Sequence, residues 1–305
     1  MSAGHPADDQ ERASTARWTA FLGWGEHGRP DLDDPAEAYH EASKNLPSVM
    51  PVASAAAAVL DTDPQAQATI IRPVPRHLAR PTVALPEPRY PRADLGHLLG
   101  QRRSRRHFGS APLTMPELST LLHAAYGVTE ELETAHGTHH LRSVPSGGAL
   151  YPLAIYPVVR NVDGVASGLY HFDPTRQLLE TVREEDTAAH LGDLIIPLPG
   201  VPDLAATCGV VVFVAGVFWR TRFKYGLRGY RWVLIEAGHV GQNVLLTAEA
   251  LGVHAVPYGG IWDRRVDDYL GLDGVNESVV YALAVGSAGA GSDGSDGADG
   301  DSTFS

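Results

Sequence analysis

Three short stretches of this chain hold residue types whose spacing could do chemistry. The first is Arg102-Arg103-Ser104-Arg105-Arg106-His107-Phe108, four guanidiniums within five residues. Crowded this closely they repel one another unless an anion or an acidic surface relieves them, and a planar guanidinium beside a hydroxyl suits a phosphate. A solvated basic loop is the other reading, and the segment alone does not separate the two. The second stretch is Pro145-Ser146-Gly147-Gly148-Ala149-Leu150-Tyr151-Pro152. Paired glycines let backbone approach a flat ligand and leave amides free to donate, although a plain tight turn would use them as well. The third, Pro257-Tyr258-Gly259-Gly260, carries the same two readings. None matches a Walker A loop or the G-x-G-x-x-G fingerprint, which argues against a Rossmann NAD site.

Histidine offers less. Glu236, His239 and Asn243 stand at i, i+3 and i+7, one face of a helix, but no second Glu-x-x-His helix completes a metal ligand set. No metal is expected; the stripe reads as a polar seam at a subunit interface and His139-His140 as a solvated loop pair.

These residues need elements to hold them. Asp34 as N-cap and Pro35 at the first helical position predict a helix over 35–44, and 53–60 is a candidate for a second. Repeated prolines make 73–91 an extended linker. Further helices are expected over 93–103 and over 114–126, the latter opened by Thr114 and Glu117 at capping-box spacing. A strand follows over 153–160. Segments 168–171 and 178–182 flank an Asp-Pro-Thr-Arg turn, a hairpin signal. The β-branched and aromatic run 210–218 reads as a central strand, 231–251 as the longest helix, ended by Gly252, and 278–285 as a last strand. Residues 287–305, built mostly from Gly, Ser, Ala and Asp, cannot bury enough apolar area to offset ordering entropy and read as a disordered tail. The expectation is one α+β domain over 92–286, a central mixed or antiparallel sheet flanked by helices, with an extension and linker over 1–91.

Composition narrows the class. The 305 residues are 44% hydrophobic, ample for a core, and Cys208 is the only cysteine, so neither an internal disulfide nor a cysteine zinc cage can form. A polar start without an apolar h-region, and no run of about 18 apolar residues, read as a soluble cytoplasmic protein away from membranes. A net charge of -12 argues against a nucleic-acid partner, so an anionic ligand must be held locally. Lys44 and Lys224 are the only lysines, which makes each mildly informative.

Taken in order, the three stretches resemble the nitroreductase superfamily. The resemblance spans 93–286 and implies FMN as cofactor. Its arginine-serine segment, contacting flavin phosphate and ring, is matched by Arg102, Arg103, Ser104, Arg106 and Phe108, with Arg105 a less certain fourth cation. Its proline-serine turn is matched by Pro145 and Ser146, and here continues through Gly147 and Gly148; the glycine turn near the flavin ring is matched by Tyr258, Gly259 and Gly260. The turn at 145–152, Gly168-Leu-Tyr-His-Phe-Asp173 and Tyr39-His-Glu-Ala-Ser-Lys44 look most like the SagB-type azoline dehydrogenases of thiazole/oxazole-modified peptide biosynthesis. In those enzymes a lysine-tyrosine pair before the long helix is implicated in catalysis, a place taken here by Lys224-Tyr225. A tyrosine beside a lysine favours phenolate, and burial lowers lysine's proton affinity, so either could be the base. The resemblance further implies a homodimer with FMN between subunits, a modified precursor peptide as substrate and a cyclodehydratase as partner. Many nitroreductases place cations after the last strand, whereas nothing after Gly286 is basic here, so phosphate binding must rest on the arginine segment. An NAD(P)H-dependent nitro or quinone reductase, and a non-catalytic scaffold subunit of a cyclodehydratase complex, are the competing readings.

Overall fold

The computed structural model describes residues 34–47, 58, 62–71, 80–197 and 202–289. In chain order it sets out α1 (Pro35–Ala42), α2 (Pro64–Ile71), β1 (Thr82–Ala84), α3 (Leu95–Gln101) and α4 (Met115–Tyr126). A hairpin of β2 (Val128–Thr134) and β3 (Gly137–Arg142) leads to β4 (Leu153–Val159), β5 (Gly168–Asp173) and β6 (Leu178–Glu184). Then come α5 (Thr187–Leu194), α6 (Leu204–Thr207), β7 (Val210–Val217), α7 (Trp219–Tyr225), α8 (Arg228–Leu251), β8 (His254–Tyr258), α9 (Asp263–Leu270) and β9 (Glu277–Gly286).

Seven strands form one sheet in the order β1-β6-β5-β4-β7-β9-β8, and every strand pair in it is antiparallel. Inside it, between β4 and β9, runs β7, buried along its whole length, as its β-branched run demands. Strand alternation sends Val210, Val212 and Val214 to one face and Val211, Phe213 and Ala215 to the other. On the first face lie α4 and α8, contributing Leu118, Leu121 and Leu122, and Val233, Val240 and Val244. On the second lie α5, α6 and α9, through Leu191, Leu204 and Val266. The sheet is thus a middle layer with helices on both sides, an α+β architecture.

Local signals hold where they were strong. Asp34 accepts from the Ala36 amide, and Thr114 and Glu117 close the capping box at the start of α4. Gly252, at φ 72, ends α8 in the left-handed conformation. The hairpin at 168–182 is β5–β6. Four expectations change. His139 and His140 lie in β3, not in a loop, because the hairpin β2–β3 pairs them with Leu132 and Glu131. Pro257 and Tyr258 are the last residues of β8 rather than part of a turn, which begins at Gly259. Within the proline-rich stretch, Thr82–Ala84 pairs with β6 and joins the sheet. Beyond β9, Ser287 accepts from the Gly109 amide at 2.8 Å and Ala288 bridges Phe108, so order runs past 286. The candidate helix at 53–60 lies outside the described residues save Ala58. Among the described residues no helix is long and apolar enough to cross a membrane.

Candidate active site

Among the described residues, the turn between β3 and β4 holds two of the three non-glycine residues with left-handed backbone. Gly148 has φ 64, and Ala149 and Tyr151 are also left-handed, at φ 50 and 47. A non-glycine residue there costs roughly 1–3 kcal/mol, so surrounding contacts must hold it. They are specific. Ser146 Oγ accepts from the Tyr151 amide at 2.9 Å, and the Tyr151 hydroxyl accepts from the Arg142 amide at 3.1 Å. His139 Nε2 bonds the Ala149 carbonyl at 3.0 Å, and the buried Arg220 donates its Nε–H to the Leu150 carbonyl at 3.0 Å. The turn is therefore fastened by β3 on one side and α7 on the other.

What the strain achieves is a close approach. A Cβ on Gly148 would stand 2.6 Å from the Tyr225 hydroxyl and 3.6 Å from Lys224 Nζ. Lys224 and Tyr225 end α7, with the ammonium 5.8 Å from the phenol ring centroid. Tyr225 also meets Trp232 of α8 edge to face at 6.5 Å. The structure thus brings Pro145, Ser146, Gly147, Gly148, Lys224 and Tyr225 to one place. A cleft of about 290 Å³ opens there, lined by Pro145, Ser146, Gly147, Tyr225, Trp232, Ile235, Glu236 and His239.

Glu236 is the residue that sequence reasoning misplaced. It is 2% exposed and accepts from the Tyr126 hydroxyl at 2.7 Å, while that hydroxyl accepts from the Leu153 amide at 3.0 Å. Its second oxygen, Oε2, is buried without a partner of hydrogen-bonding geometry. Burial pushes its carboxyl up to about 7, opposed by the Ser146 and Tyr126 hydroxyls and by the Arg142 and Arg220 guanidiniums. Tyr126 in turn is held well above its ordinary value, chiefly by burial. The interface seam therefore dissolves: Glu236 and Asn243 face inward, the latter donating to the Ala124 carbonyl at 3.0 Å, and only His239 is exposed. The available signal was a lone carboxylate among Val233, Ala237 and Val240 on the apolar face of α8.

The arginine segment lies elsewhere. Arg102 caps α3, and Arg103 turns its guanidinium onto the Gly100 and Arg102 carbonyls. Arg106 lies 3.5 Å from the Ser104 carbonyl, and its charge acts on Tyr258, which burial raises. Tyr258 donates to the Ile196 carbonyl at 2.6 Å, and the Gly260 carbonyl accepts from Ile196 at 2.7 Å. Arg105 stands 3.8 Å from Glu249 and its amide bonds Ala255, so it is engaged in structure. Among the described residues Arg102, Arg103 and Arg106 have no carboxylate partner, a donor set suited to phosphate. Glu249 and Glu236 are thirteen residues apart on α8, about 20 Å at 1.5 Å per residue, so one chain keeps the two halves apart.

An antiparallel sheet between helix layers, with a glycine turn at a strand entrance and no phosphate loop, defines the class as an α+β fold distinct from the Rossmann type. Residues 99–287 match the family model "Nitroreductase family", and the chain belongs to that family, one of flavin-dependent oxidoreductases. It is 39% identical over 176 residues to MJ1384 of Methanocaldococcus jannaschii, provisionally named a nitroreductase, covering 58% of this chain and 83% of that one. It is 31% identical over 136 residues to the microcin B17-processing protein McbC of Escherichia coli, covering 43% of this chain and 49% of McbC. With the trifolitoxin-processing protein TfxB of Rhizobium leguminosarum it shares 28% over 177 residues, 57% of this chain and 47% of TfxB. The chain thus spans about half the length of these two. Among solved structures, a nitroreductase-like protein of Anabaena variabilis superposes with a TM-score of 0.62 at 24% identity over 82% of this chain and 45% of that one. The E. coli microcin synthetase McbBCD complex with truncated pro-MccB17 gives 0.50 at 23% over 87% and 99%.

Proposed function

We propose that this protein is an FMN-dependent dehydrogenase that oxidises thiazoline or oxazoline rings in a modified precursor peptide to thiazoles or oxazoles. The observation that carries this is the convergence of Lys224 and Tyr225 on the strained Ser146–Gly148 turn, because it sets a candidate base against the glycine turn beside the cleft. The names of McbC and TfxB, both peptide-processing proteins, support a peptide substrate, and the McbBCD assembly supports a cyclodehydratase partner.

The residues fit FMN in two places. Arg102, Arg103 and Arg106 with Ser104 would hold its phosphate, and Pro145, Ser146, Gly147 and Gly148 would lie along its ring. The turn Tyr258, Gly259, Gly260 would close the ring's other edge. Because these sets sit at opposite ends of α8, a two-fold axis that runs α8 against its copy joins the arginine end of one chain to the turn of the other. The exposed Leu234 and Ile235 on α8, and Leu95 and Leu99 on α3, supply apolar surface for such a homodimer. Of the other apolar residues of α8, Val240, Val244 and Leu245 are spent on the protein's own core.

When bound, FMN supplies a two-electron acceptor for a hydride from the azoline ring. The chain's part is to orient the ring against the turn and to take the remaining proton at Tyr225 or Lys224. Wild-type protein incubated with an azoline peptide should return it two hydrogens lighter per ring by mass spectrometry, with a flavin absorbance spectrum and no nicotinamide required. MJ1384 favours a second reading, an NAD(P)H-dependent nitro or quinone reductase. Rapid bleaching of the flavin by NAD(P)H, with no lightening of any azoline peptide, would establish that one instead.

A further inference from the structure

Of the ionisable groups in the cleft that the proposed chemistry does not employ, Glu236 is the buried one. Glu236 lines the cleft, 2% exposed, with Tyr126 bonded to Oε1 and the Ser146 hydroxyl close enough to act on the carboxyl, although Oε2 makes no hydrogen bond of good geometry. A buried carboxylate with an incompletely bonded oxygen is costly while it is charged, and taking up a proton relieves that cost. The side chains facing it come from every neighbouring element: Tyr126 of α4, Arg142 of β3, Ser146 of the turn, Arg220 and Tyr225 of α7, and His239 one turn along α8. Arg142 is committed to aromatic faces, its guanidinium 4.2 Å from the Tyr126 ring centre and 5.2 Å from that of Tyr151. Its Nε is itself buried without a partner, and the Arg142 and Arg220 charges act on the Glu236 carboxyl without outweighing its burial.

We propose that Glu236, steadied by Tyr126 beneath Ser146, is the group in which the proton removed from the substrate ring comes to rest inside the cleft. This rests on the azoline dehydrogenase reading. The ring C–H bond breaks and its proton passes to Tyr225 or Lys224. An equivalent proton is then held on the Glu236 carboxylate, which becomes a neutral carboxylic acid. FMN, when bound, would supply the acceptor for the second hydrogen, which leaves with the bonding electrons as hydride, and dioxygen would be the final acceptor of those two electrons. Since Glu236 shares the cleft with Tyr225 rather than touching the ring, it is a proton-holding group that restores the base. Burial, which places its carboxyl near neutrality, lets it take up and give back a proton under working conditions.

Infrared titration of the purified protein reads the carboxylic acid directly. The expected result is a protonated-carboxyl band that disappears as pH rises through about 7 and is absent from Glu236→Gln, a near-isosteric variant. The band remaining in Glu236→Gln, or titrating below pH 5, would overturn the proposal. In turnover of an azoline peptide, the wild-type rate should fall on the acid side of about pH 7, and Glu236→Gln should lose that limb while running roughly tenfold or more slower at neutral pH. An unaltered limb and rate in the variant would also overturn it. If the wild type makes no azole at all, the functional reading fails and the infrared arm alone judges Glu236.

Discussion

At the scale of single residues, the cleft pairs a candidate base with a candidate proton store. Lys224→Ala or Tyr225→Phe should keep the flavin spectrum yet slow azole formation by roughly 10²- to 10⁴-fold, the range for losing a positioned acid-base group. Wild-type rates in both variants, measured by mass spectrometry, would make the pair structural. Tyr258, otherwise the next base to consider, spends its hydroxyl proton on the Ile196 carbonyl. Glu236 also makes stability depend on pH. Its carboxyl rises from 4.5 unfolded to about 7 folded, so the folded chain binds the proton more tightly between those values. The stabilisation is full below pH 4.5 and is lost as pH rises through 7, about 3 kcal/mol at 1.36 kcal/mol per pH unit. Melting curves should therefore show Glu236→Gln gaining on the wild type between pH 5 and pH 8. A difference that stays flat across that window would contradict the raised carboxyl.

At the scale of elements, the turn at 145–152 depends on glycine at one position above all. Alanine at 148 would keep φ at 64 only at a cost of roughly 1–2 kcal/mol, and its methyl would displace the Tyr225 hydroxyl. Gly148→Ala should thus lower turnover while far-UV circular dichroism stays native, and a fully active variant would show that the close approach is incidental. The segment after α3 makes the complementary case. Each charge-assisted phosphate contact contributes on the order of 1.5–3 kcal/mol, so Arg102→Ala with Arg106→Ala should weaken FMN binding by at least roughly a hundredfold. Unchanged flavin occupancy after dialysis would remove the arginines from the site. Helix α1 belongs at this scale as well. Its Tyr39 donates to the Leu227 carbonyl at 3.1 Å, and Arg231 of α8 donates to Ser43 Oγ at 2.8 Å and to the His40 carbonyl at 2.6 Å. The 39–44 motif therefore braces the α7–α8 corner that presents Lys224 and Tyr225.

At the scale of the whole molecule, the proposed flavin site, split between the two ends of α8 and completed by a second chain, would make cofactor binding and association one equilibrium. Light scattering should report a dimer, with an interface above roughly 2,000 Å² as obligate dimers show. Leu234→Arg, which puts a charge on the exposed face of α8, should shift the protein to monomer and release FMN together. A monomer that retains FMN would sever the link and place the whole flavin site within one chain.

What the sequence determined by itself was local. Caps at Asp34, Thr114 and Gly252, the turn that joins β5 to β6 and the unbroken run of β7 each depend on neighbours within a few residues, and each is present as read. The motif order, too, survives in a sequence, which is why the family was legible. Where the side chains went was decided by tertiary packing. Tyr126 and Glu236 are 110 residues apart in the chain, so nothing near either one announces their hydrogen bond. The same holds for β2–β3, whose polar residues carry no strand pattern until a partner strand accepts their amides. The faces of α8 could not be sorted either, since Val240 and Leu234 are equally apolar and only the sheet beneath distinguishes core from exposed surface.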